Sequence, residues 1–308
     1  MVQRFALSVI ALMLAGACTH GVAQVRSTPV AAPSLVASPV VTPSPAASPT
    51  PEPPHVFVIV LENRSYSQAI TTPYLAQLAG SYGLATNYHG VSHPSLPNYL
   101  ALTSGSTYGI ADDGWHPLPA GGIGAQLDAA GIHWRAYMEG MTAGCYRNVD
   151  GYALKHNPFA YYGAACPSQV VPFSQFASDM SANPPQFVWI TPDLCHDGHD
   201  CSNSDVSDWL AQTVPTILNS DAWKKNGVLF ITYDEGEDAA NSVLTMVIRD
   251  RQANLRSAVE YNHYSLLASI EDLLGLPRLG AAAGAQAMTD LLATKPEKTP
   301  PRQLPSTS

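Results

Sequence analysis

The chain has 308 residues, of which 46% are hydrophobic and 13% are charged, and its formal net charge is −9. This length suits one globular domain with a sizeable core and additional tails. The negative charge argues against nucleic acid or an anionic membrane surface as the main partner, because either would favour basic patches. It does not exclude a small anionic ligand, since a bound metal ion supplies positive charge locally.

The N-terminus predicts export from the cytoplasm. Arg4 precedes an apolar run over 5–14, which is too short to span a bilayer as a helix. Small residues and Cys18 follow, so the segment fits a signal peptide over 1–23. It also resembles a lipoprotein signal ending before Cys18, although Leu14 lies one place too far from that cysteine. Both interpretations stay open, secretion or attachment to the cell envelope through lipidated Cys18.

Two tails flank the predicted folded domain at 55–293. Residues 24–54 are mostly Pro, Ala, Ser, Thr and Val, a composition that cannot build a packed core and predicts an extended linker. Residues 294–308 are similarly poor in apolar side chains, which predicts a disordered tail.

Strands and helices alternate in the predicted domain. A β-branched apolar run at 56–61 predicts a buried parallel strand, and 73–82 predicts a helix that ends at Gly83. A short helix at 123–130 leads to a strand at 132–138. Further strands are predicted at 187–190, 228–232 and 243–248, and further helices at 204–218 and 263–274. The alternation predicts a three-layer α/β/α sandwich around a mostly parallel central sheet.

The cysteine count is that of an exported protein. The chain has five cysteines, and four remain after Cys18 is set aside. An even number suggests two disulfides. Close spacing favours Cys145–Cys166 and Cys195–Cys201, although spacing alone does not prove the connectivity.

Polar clusters follow the predicted strands at 56–61, 187–190 and 228–232. They contain Glu62 and Asn63, the segment 196–200, and Asp234 and Glu235. The carboxyl ends of parallel strands share one edge of a sheet, so the clusters are predicted to converge. Glu62, Asn63, Asp234 and Glu235 are hard oxygen ligands suited to Mg²⁺, Ca²⁺ or Mn²⁺, and Zn²⁺ or iron stays an alternative if histidine contributes.

Ser95 lies in a segment, 92–102, that predicts a loop entering a helix. At a helix start, backbone N–H groups and the helix dipole favour an anion. A serine there, activated by a neighbouring metal, can receive a phosphoryl group. Taken alone, the position favours the commoner use of serine as an N-cap.

Several motifs together resemble the bacterial phosphoesterase family of secreted acid phosphatases and phospholipases C, within the alkaline-phosphatase-like superfamily. They run in the family's order across nearly the whole folded region, and the likeness is greatest to short single-domain acid phosphatases. The motifs are VLENRS (60–65), HPSLPNYLAL (93–102), KHNP (155–158), TPD (191–193), HDGHD (196–200), TYDE (232–235) and HYS (263–265).

The resemblance implies an alkaline-phosphatase-like fold and a divalent metal held by the oxygen ligands named above. It implies that Ser95 is the nucleophile that forms a phosphoenzyme. It also implies a phosphate-binding and proton-transfer set, which comprises His156, Asp197, His199 and His263. Two positions depart from the family pattern: Asp193 stands where Asn is more frequent, and Gly198 stands where Met is common.

The activity that the resemblance implies is hydrolysis of phosphate monoesters, with a small phosphorylated substrate or a phospholipid headgroup such as a phosphoinositide. A phospholipase C-type diesterase is the alternative enzyme, and the compact length favours the monoesterase. An alternative of another class is a non-catalytic envelope lipoprotein that binds phosphorylated ligands. The intact Ser95 and ligand set argue against that alternative.

Overall fold

The computed structural model describes residues 53–142, 144–149, 151–250, 252 and 254–293. The predicted export signal, all but the last two residues of the predicted linker, and the predicted tail at 294–308 lie outside the described residues. Within the described part of the chain, no helix combines the length and the apolar character that crossing a membrane requires.

The described residues form ten strands and eight α-helices in largely alternating order. The strands are β1 (Val56–Leu61), β2 (Gly83–Ala85), β3 (Tyr88–His89), β4 (Trp134–Met138), β5 (Val170–Pro172), β6 (Phe187–Thr191), β7 (Val228–Tyr233), β8 (Thr245–Arg249), β9 (Arg256–Ser257) and β10 (Tyr261–Asn262). The helices are α1 (Tyr66–Ala69), α2 (Pro73–Ala79), α3 (Ser95–Ser104), α4 (Gly122–Ala129), α5 (Phe176–Ala182), α6 (Asn203–Leu218), α7 (Asp221–Lys224) and α8 (His263–Leu274).

Eight strands form the central sheet in the order β5-β4-β6-β1-β7-β8-β2-β9. Strand β1 lies between β6 and β7 and runs parallel to both, with Val56 opposite Phe187 on one side and Val228 on the other. Strand β8 runs antiparallel to its neighbours β7 and β2. The predicted mostly parallel sheet is confirmed. A separate parallel pair joins β10 to β3.

Helices cover the sheet, which explains why its central strands are continuously apolar. Every residue of β1 is fully buried, as expected for a parallel strand covered on both faces. One group of helices packs α3 against α4 and α8, and another packs α6 against α2, α5 and α7. This arrangement is the predicted α/β/α sandwich.

Most predicted element boundaries lie within two residues of the observed ones. β1 and α8 begin and end where predicted, and α6 continues through Pro215 as predicted. The helix predicted over 73–82 ends early, at Ala79, because Gly80 caps it and Gly83 already begins β2. α8 ends at Gly275, whose φ of 67° is the left-handed conformation that glycine adopts readily.

Both favoured disulfides are present. Cys145 is bonded to Cys166 across a sequence separation of 21, and Cys195 is bonded to Cys201 across a separation of 6. The smaller loop follows β6 and encloses the segment 196–200, so the disulfide constrains a segment that the sequence assigns to the site.

Candidate active site

The polar clusters after β6, β1 and β7 meet at one edge of the sheet, because these strands are parallel neighbours. The backbone N–H of Glu62 donates to the carbonyl of Asp197 at 2.9 Å. The N–H of Asn63 donates to Asp234 Oδ1 at 3.1 Å. Glu62, Asp197 and Asp234 are all fully buried, so three carboxyl groups are concentrated at the predicted edge.

Ser95 is the first residue of α3, as the sequence predicts for the start of this helix, but it is not the capping residue. The N-cap position belongs to Pro94. The Ser95 hydroxyl donates instead to Glu62 Oε2 at 3.1 Å, and the residue is 1% exposed. Asn98 shapes the preceding loop, because its Oδ1 accepts the N–H groups of Val91 and Ser92 at 2.9 and 3.0 Å. Ser95 therefore faces the carboxylate edge with its hydroxyl free of capping.

His156 lies between two of the buried carboxylates. Its Nε2 is 3.3 Å from Glu62 Oε2 and its Nδ1 is 3.3 Å from Asp197 Oδ2. Tyr99 stacks on the imidazole, with ring centroids 5.3 Å apart. Burial would lower the pKa of His156, but the charge of Glu62 and the bond to Asp197 raise it to about 9. The two flanking carboxyl groups therefore favour the protonated imidazole.

The protonated imidazole affects the carboxyl groups on either side. Burial, the largest single effect, would raise the pKa of Glu62, but the charge and hydrogen bond of His156, together with Tyr99 and the charge of Lys155, outweigh burial and lower it. Burial raises the pKa of Asp197 to about 6, although its hydrogen bond to His156 acts in the opposite direction. Of these two carboxyl groups, Glu62 is therefore the one whose ionised form the surrounding residues favour.

Lys155 and Asp113 link the rim of the site to the start of α3. Asp113 Oδ1 accepts the N–H of Leu96, the residue after Ser95, at 2.9 Å. Its Oδ2 accepts from Lys155 Nζ at 3.1 Å, and Lys155 Nζ lies 3.4 Å from His199 Nε2. The Nδ1 of His199 is 2.7 Å from Asp200 Oδ1. A cation and an oriented imidazole therefore lie on the open side of the site.

His263 is at the site but uses both ring nitrogens within the protein. Its Nε2 donates to the backbone carbonyl of Asp234, and its Nδ1 accepts from the Tyr88 hydroxyl at 3.0 Å. Burial lowers its pKa to about 4, so the ring is neutral. This geometry positions Asp234 and leaves neither nitrogen directed at a substrate, whereas the family resemblance implies a role for His263 in phosphate binding or proton transfer.

Two of the predicted metal ligands have a buried oxygen with no partner in the protein. Within the described part of the chain, Glu62 Oε1 and Asp234 Oδ2 are buried without a hydrogen bond, and so is Oδ2 of the neighbouring Asp197, 3.3 Å from His156 Nδ1. Burial and the charges of Glu62 and Glu235 raise the pKa of Asp234 well above its ordinary value. Two orphaned oxygens and mutually repelling carboxylates fit a divalent cation at this edge. Asn63 follows Glu62 in the chain, and its backbone N–H bonds to Asp234 Oδ1, so it lies at the same edge of the sheet.

A second cluster of ligand-type side chains lies beside the site. Among the described residues, Glu139, Asp193 and His196 place ligand atoms within 4.8 Å of one another, which Glu62, Asp234 and Glu235 do not. One oxygen of each carboxylate in this cluster already accepts hydrogen bonds within the protein. Asp193 Oδ1 accepts the N–H groups of Cys195 and His196, and Glu139 Oε2 accepts the N–H of Asp193. The segment 196–200 is therefore divided, with His196 here and with Asp197 and His199 at the site.

Several site residues were missed by reasoning from the sequence. Tyr99, Lys155 and His93 lie inside the quoted motifs but received no role, and His93 Nδ1 contacts Glu235 Oε2. Tyr88, which holds His263, and Asp113 lie outside those motifs. Asp113 had no sequence signal, because its partners Leu96 and Lys155 are brought to it only by the fold.

Known proteins share this sequence pattern. The phosphoesterase family model matches residues 66–248, and the chain belongs to that family. The chain is 29% identical over 262 residues to an acid phosphatase of Aspergillus fumigatus, covering 78% of this chain and 59% of that protein. It is 30% identical over 252 residues to a phosphatidylinositol-3-phosphatase of Mycobacterium tuberculosis, covering 77% of this chain and 82% of that protein. The chain thus spans under two thirds of the fungal relative.

Solved structures share the fold at low sequence identity. A Vibrio parahaemolyticus protein of the alkaline phosphatase superfamily superposes with a TM-score of 0.56 at 13% identity, covering 77% of this chain and 70% of that chain. Murine ectonucleotide pyrophosphatase/phosphodiesterase 5 superposes with a TM-score of 0.54 at 11% identity, covering 73% of this chain and 96% of that chain. The fold is that of the alkaline phosphatase superfamily, as the motifs imply.

Proposed function

We propose that this protein is a metal-dependent phosphomonoesterase that uses Ser95 as its nucleophile and forms a phosphoserine intermediate. The observation that carries the proposal is the Ser95 hydroxyl, which starts α3 and donates to Glu62 at 3.1 Å. The relatives named acid phosphatase and phosphatidylinositol-3-phosphatase support phosphate monoesters as the substrate class.

Glu62, Asn63, Asp234 and Glu235 would hold the cation. A divalent ion bound there supplies positive charge that lowers the pKa of a nearby hydroxyl and neutralises phosphate oxygens. The orphaned Glu62 Oε1 and Asp234 Oδ2 support this assignment. The Tyr88–His263 pair keeps Asp234 in place through its backbone carbonyl, and His156 keeps Glu62 in place from the other side.

The protein's own groups bind and orient the phosphate. Backbone N–H groups at the start of α3 and the Lys155 ammonium favour an anion next to Ser95. Asp113 engages one N–H group of this helix start and the ammonium group, because its two oxygens bond to the Leu96 N–H and to Lys155. An incoming phosphate would share or take over these donors.

Two in-line displacements follow from this arrangement. The Ser95 oxygen attacks phosphorus while its proton passes to Glu62 Oε2, the ester oxygen leaves, and the leaving alcohol takes a proton. His199 is the proposed proton donor: Asp200 orients its Nδ1, and its Nε2, which here faces Lys155, would carry the proton once Lys155 bonds to the phosphate instead. Water then attacks the phosphoserine and gives a proton back to His199, phosphate leaves, and the Ser95 oxygen recovers its proton from Glu62. Preorganised positive charge supplies most of the stabilisation of such transition states.

The proposed setting is outside the cytoplasm, with the described domain as the catalytic unit. The predicted signal at 1–23 and the two disulfides support export, and lipidation of Cys18 would attach the domain through the linker at 24–54. A phosphoinositide monoester is a proposed substrate, supported by the name of the mycobacterial relative.

The test is a colorimetric assay of the purified protein with p-nitrophenyl phosphate and bis-p-nitrophenyl phosphate, before and after dialysis against a chelator. We expect rapid hydrolysis of the monoester, much slower hydrolysis of the diester, and loss of both after chelation. Faster hydrolysis of the diester would make the protein a phosphodiesterase, and no hydrolysis of either would reject an enzymatic role.

A further inference from the structure

Two exposed aromatic side chains lie in contact with each other close to the candidate active site. Among the described residues, the exposed large hydrophobic side chains are Tyr108, Trp115, Tyr146 and Val259. Trp115 and Tyr146 belong together, because their rings meet edge to face with centroids 5.1 Å apart. They are 44% and 43% exposed, so a tryptophan and a tyrosine present ring surface to solvent side by side.

Trp115 is tied to the catalytic residues through Asp113, two positions earlier in the chain. Asp113 contacts the N–H of Leu96, directly after Ser95, and Lys155, directly before His156. Trp115 is thus two residues along the chain from a side chain that contacts both the start of α3 and Lys155, the groups proposed to bind the phosphate.

The aromatic pair is held rigidly. Trp115 packs on the buried Tyr161 with centroids 4.9 Å apart, and the Tyr161 hydroxyl donates to the Gly114 carbonyl at 3.4 Å. The Leu118 N–H donates to the Tyr161 carbonyl at 2.9 Å. Tyr146 follows the disulfide-bonded Cys145, and its hydroxyl donates to the Ala160 carbonyl. Anchored rings lose little entropy on binding, which is what a preformed subsite needs.

We propose that Trp115 and Tyr146 form a subsite for the leaving group of the ester, and that it takes a ring with a flat apolar face. This proposal rests on the proposed phosphomonoesterase function and adds its substrate class. Aryl groups and the apolar face of a sugar or polyol ring both pack on exposed indole and phenol rings. A short aliphatic leaving group would gain little from the same surface.

The test compares benzyl phosphate with ethyl phosphate, because both release a primary alcohol and differ mainly in the ring. Wild-type protein should show the higher kcat/KM on benzyl phosphate. Trp115→Ala should lower kcat/KM for benzyl phosphate about tenfold, the size of a stacking contact, and change that for ethyl phosphate less than twofold. Trp115→Phe should recover most of the loss, because it restores a ring.

Tyr108 provides the matched control. It is 42% exposed, but it packs near Tyr162, which bonds to Thr103 at the far end of α3 from Ser95. Tyr108→Ala should leave both esters unaffected. Three results would overturn the subsite and leave the phosphomonoesterase function standing. Trp115→Ala could lower kcat/KM equally for both esters, or for neither. Tyr108→Ala could lower kcat/KM for benzyl phosphate but not for ethyl phosphate, as expected for Trp115→Ala. Hydrolysis of neither ester by wild-type protein would reject the function and the subsite with it.

Discussion

Two acidic clusters lie at the same edge of the sheet and differ in how their oxygens are used. Glu139 and Asp193, which follow β4 and β6, each direct one oxygen to backbone N–H groups, and that oxygen of Glu139 also contacts the His196 ring. Glu62 and Asp234, which follow β1 and β7, each keep one buried oxygen without a partner in the described part of the chain. Similar side chains thus build a turn in one place and leave coordination capacity open in the other.

The difference shows which acidic residues are suited to a ligand. An unpartnered buried carboxylate oxygen costs free energy that a protein recovers when a cation binds. Oxygens that already accept two N–H groups have little to gain from one. The more compact cluster, Glu139 with Asp193 and His196, is therefore the weaker candidate for a metal, although its ligand atoms lie closer together.

The largest expected effect tests whether the edge with open oxygens is the catalytic one. Ser95→Ala should lower kcat on a phosphate monoester by at least about a thousandfold, because no other hydroxyl takes the position at the start of α3. Circular dichroism and the melting temperature should be nearly unchanged. Ser92→Ala is the control, since among the described residues the Ser92 hydroxyl bonds only to the neighbouring His93 carbonyl, at 3.2 Å. Substantial activity in purified Ser95→Ala would remove Ser95 as the nucleophile.

A matched pair of substitutions compares the two clusters directly. Asp234→Asn should lower metal affinity at least tenfold. Substitution of residues that merely hydrogen-bond to a metal ligand already lowers affinity by that factor, and Asp234 is a proposed ligand itself. Asp193→Asn should leave activity within a fewfold range, because the amide oxygen can still accept the N–H groups of Cys195 and His196. Titration of the metal-free proteins with divalent ions, read by activity, measures both. A larger loss in Asp193→Asn would reverse the assignment.

Metal removal should also change the melting temperatures of wild-type protein and Asp234→Asn differently. Dialysis against a chelator should lower the melting temperature of the wild type, because the carboxylates at the edge then repel one another. Metal-free Asp234→Asn should melt at a higher temperature than metal-free wild type. Full activity in a sample that elemental analysis shows to contain no metal would contradict this account.

We expect the Cys195–Cys201 disulfide to contribute more to activity and the Cys145–Cys166 disulfide to contribute more to stability. Cys195→Ser with Cys201→Ser should lower activity severalfold, because this disulfide closes a 6-residue separation around Asp197 and His199, and should cost only about 2 kcal/mol of unfolding free energy. Cys145→Ser with Cys166→Ser opens a separation of 21 and should cost about 3 kcal/mol of unfolding free energy. Chemical denaturation and kinetics on the same samples would test the contrast, and equal losses of stability would contradict it.

The smallest expected effect concerns Glu271 on α8, a buried acid away from both clusters. Its Oε1 accepts the Leu279 N–H, and its Oε2 has no hydrogen bond within the described residues. Burial raises its pKa from 4.5 to about 7. The folded state therefore holds this proton more tightly than the unfolded state does. Ionising Glu271 lowers the free energy of unfolding, and this loss is absent below about pH 4.5 and complete above about pH 7.

Glu271→Gln should remove part of this loss of stability, because the uncharged amide still leaves one buried polar atom without a partner, and should stabilise the fold at pH 8 by about 1 kcal/mol, with little effect at pH 4. Urea denaturation at the two pH values measures the difference. Unlike Asp234→Asn, the gain should not depend on metal. A gain that disappears when a divalent ion is added would place Glu271 in the metal site and weaken the comparison.

Apolar runs in the sequence were sufficient to predict the central strands. The continuous run at 56–61 is buried on both faces, so its position in a parallel sheet follows from composition. Strands of two or three residues, such as β3 and β10, were not predicted, because segments that short carry no periodic pattern. Their pairing depends on where the neighbouring segments lie.

The sequence by itself also determined which acids, histidines and serine stand at strand ends and helix starts, and therefore that they would share one edge. Only the tertiary structure decided their partners. It directs both nitrogens of His263 into the protein, removes His196 to a neighbouring cluster, and brings Asp113 to the start of α3. Hydrogen bonds between residues far apart in the chain depend on the angle at which elements pack, and local composition does not encode that angle.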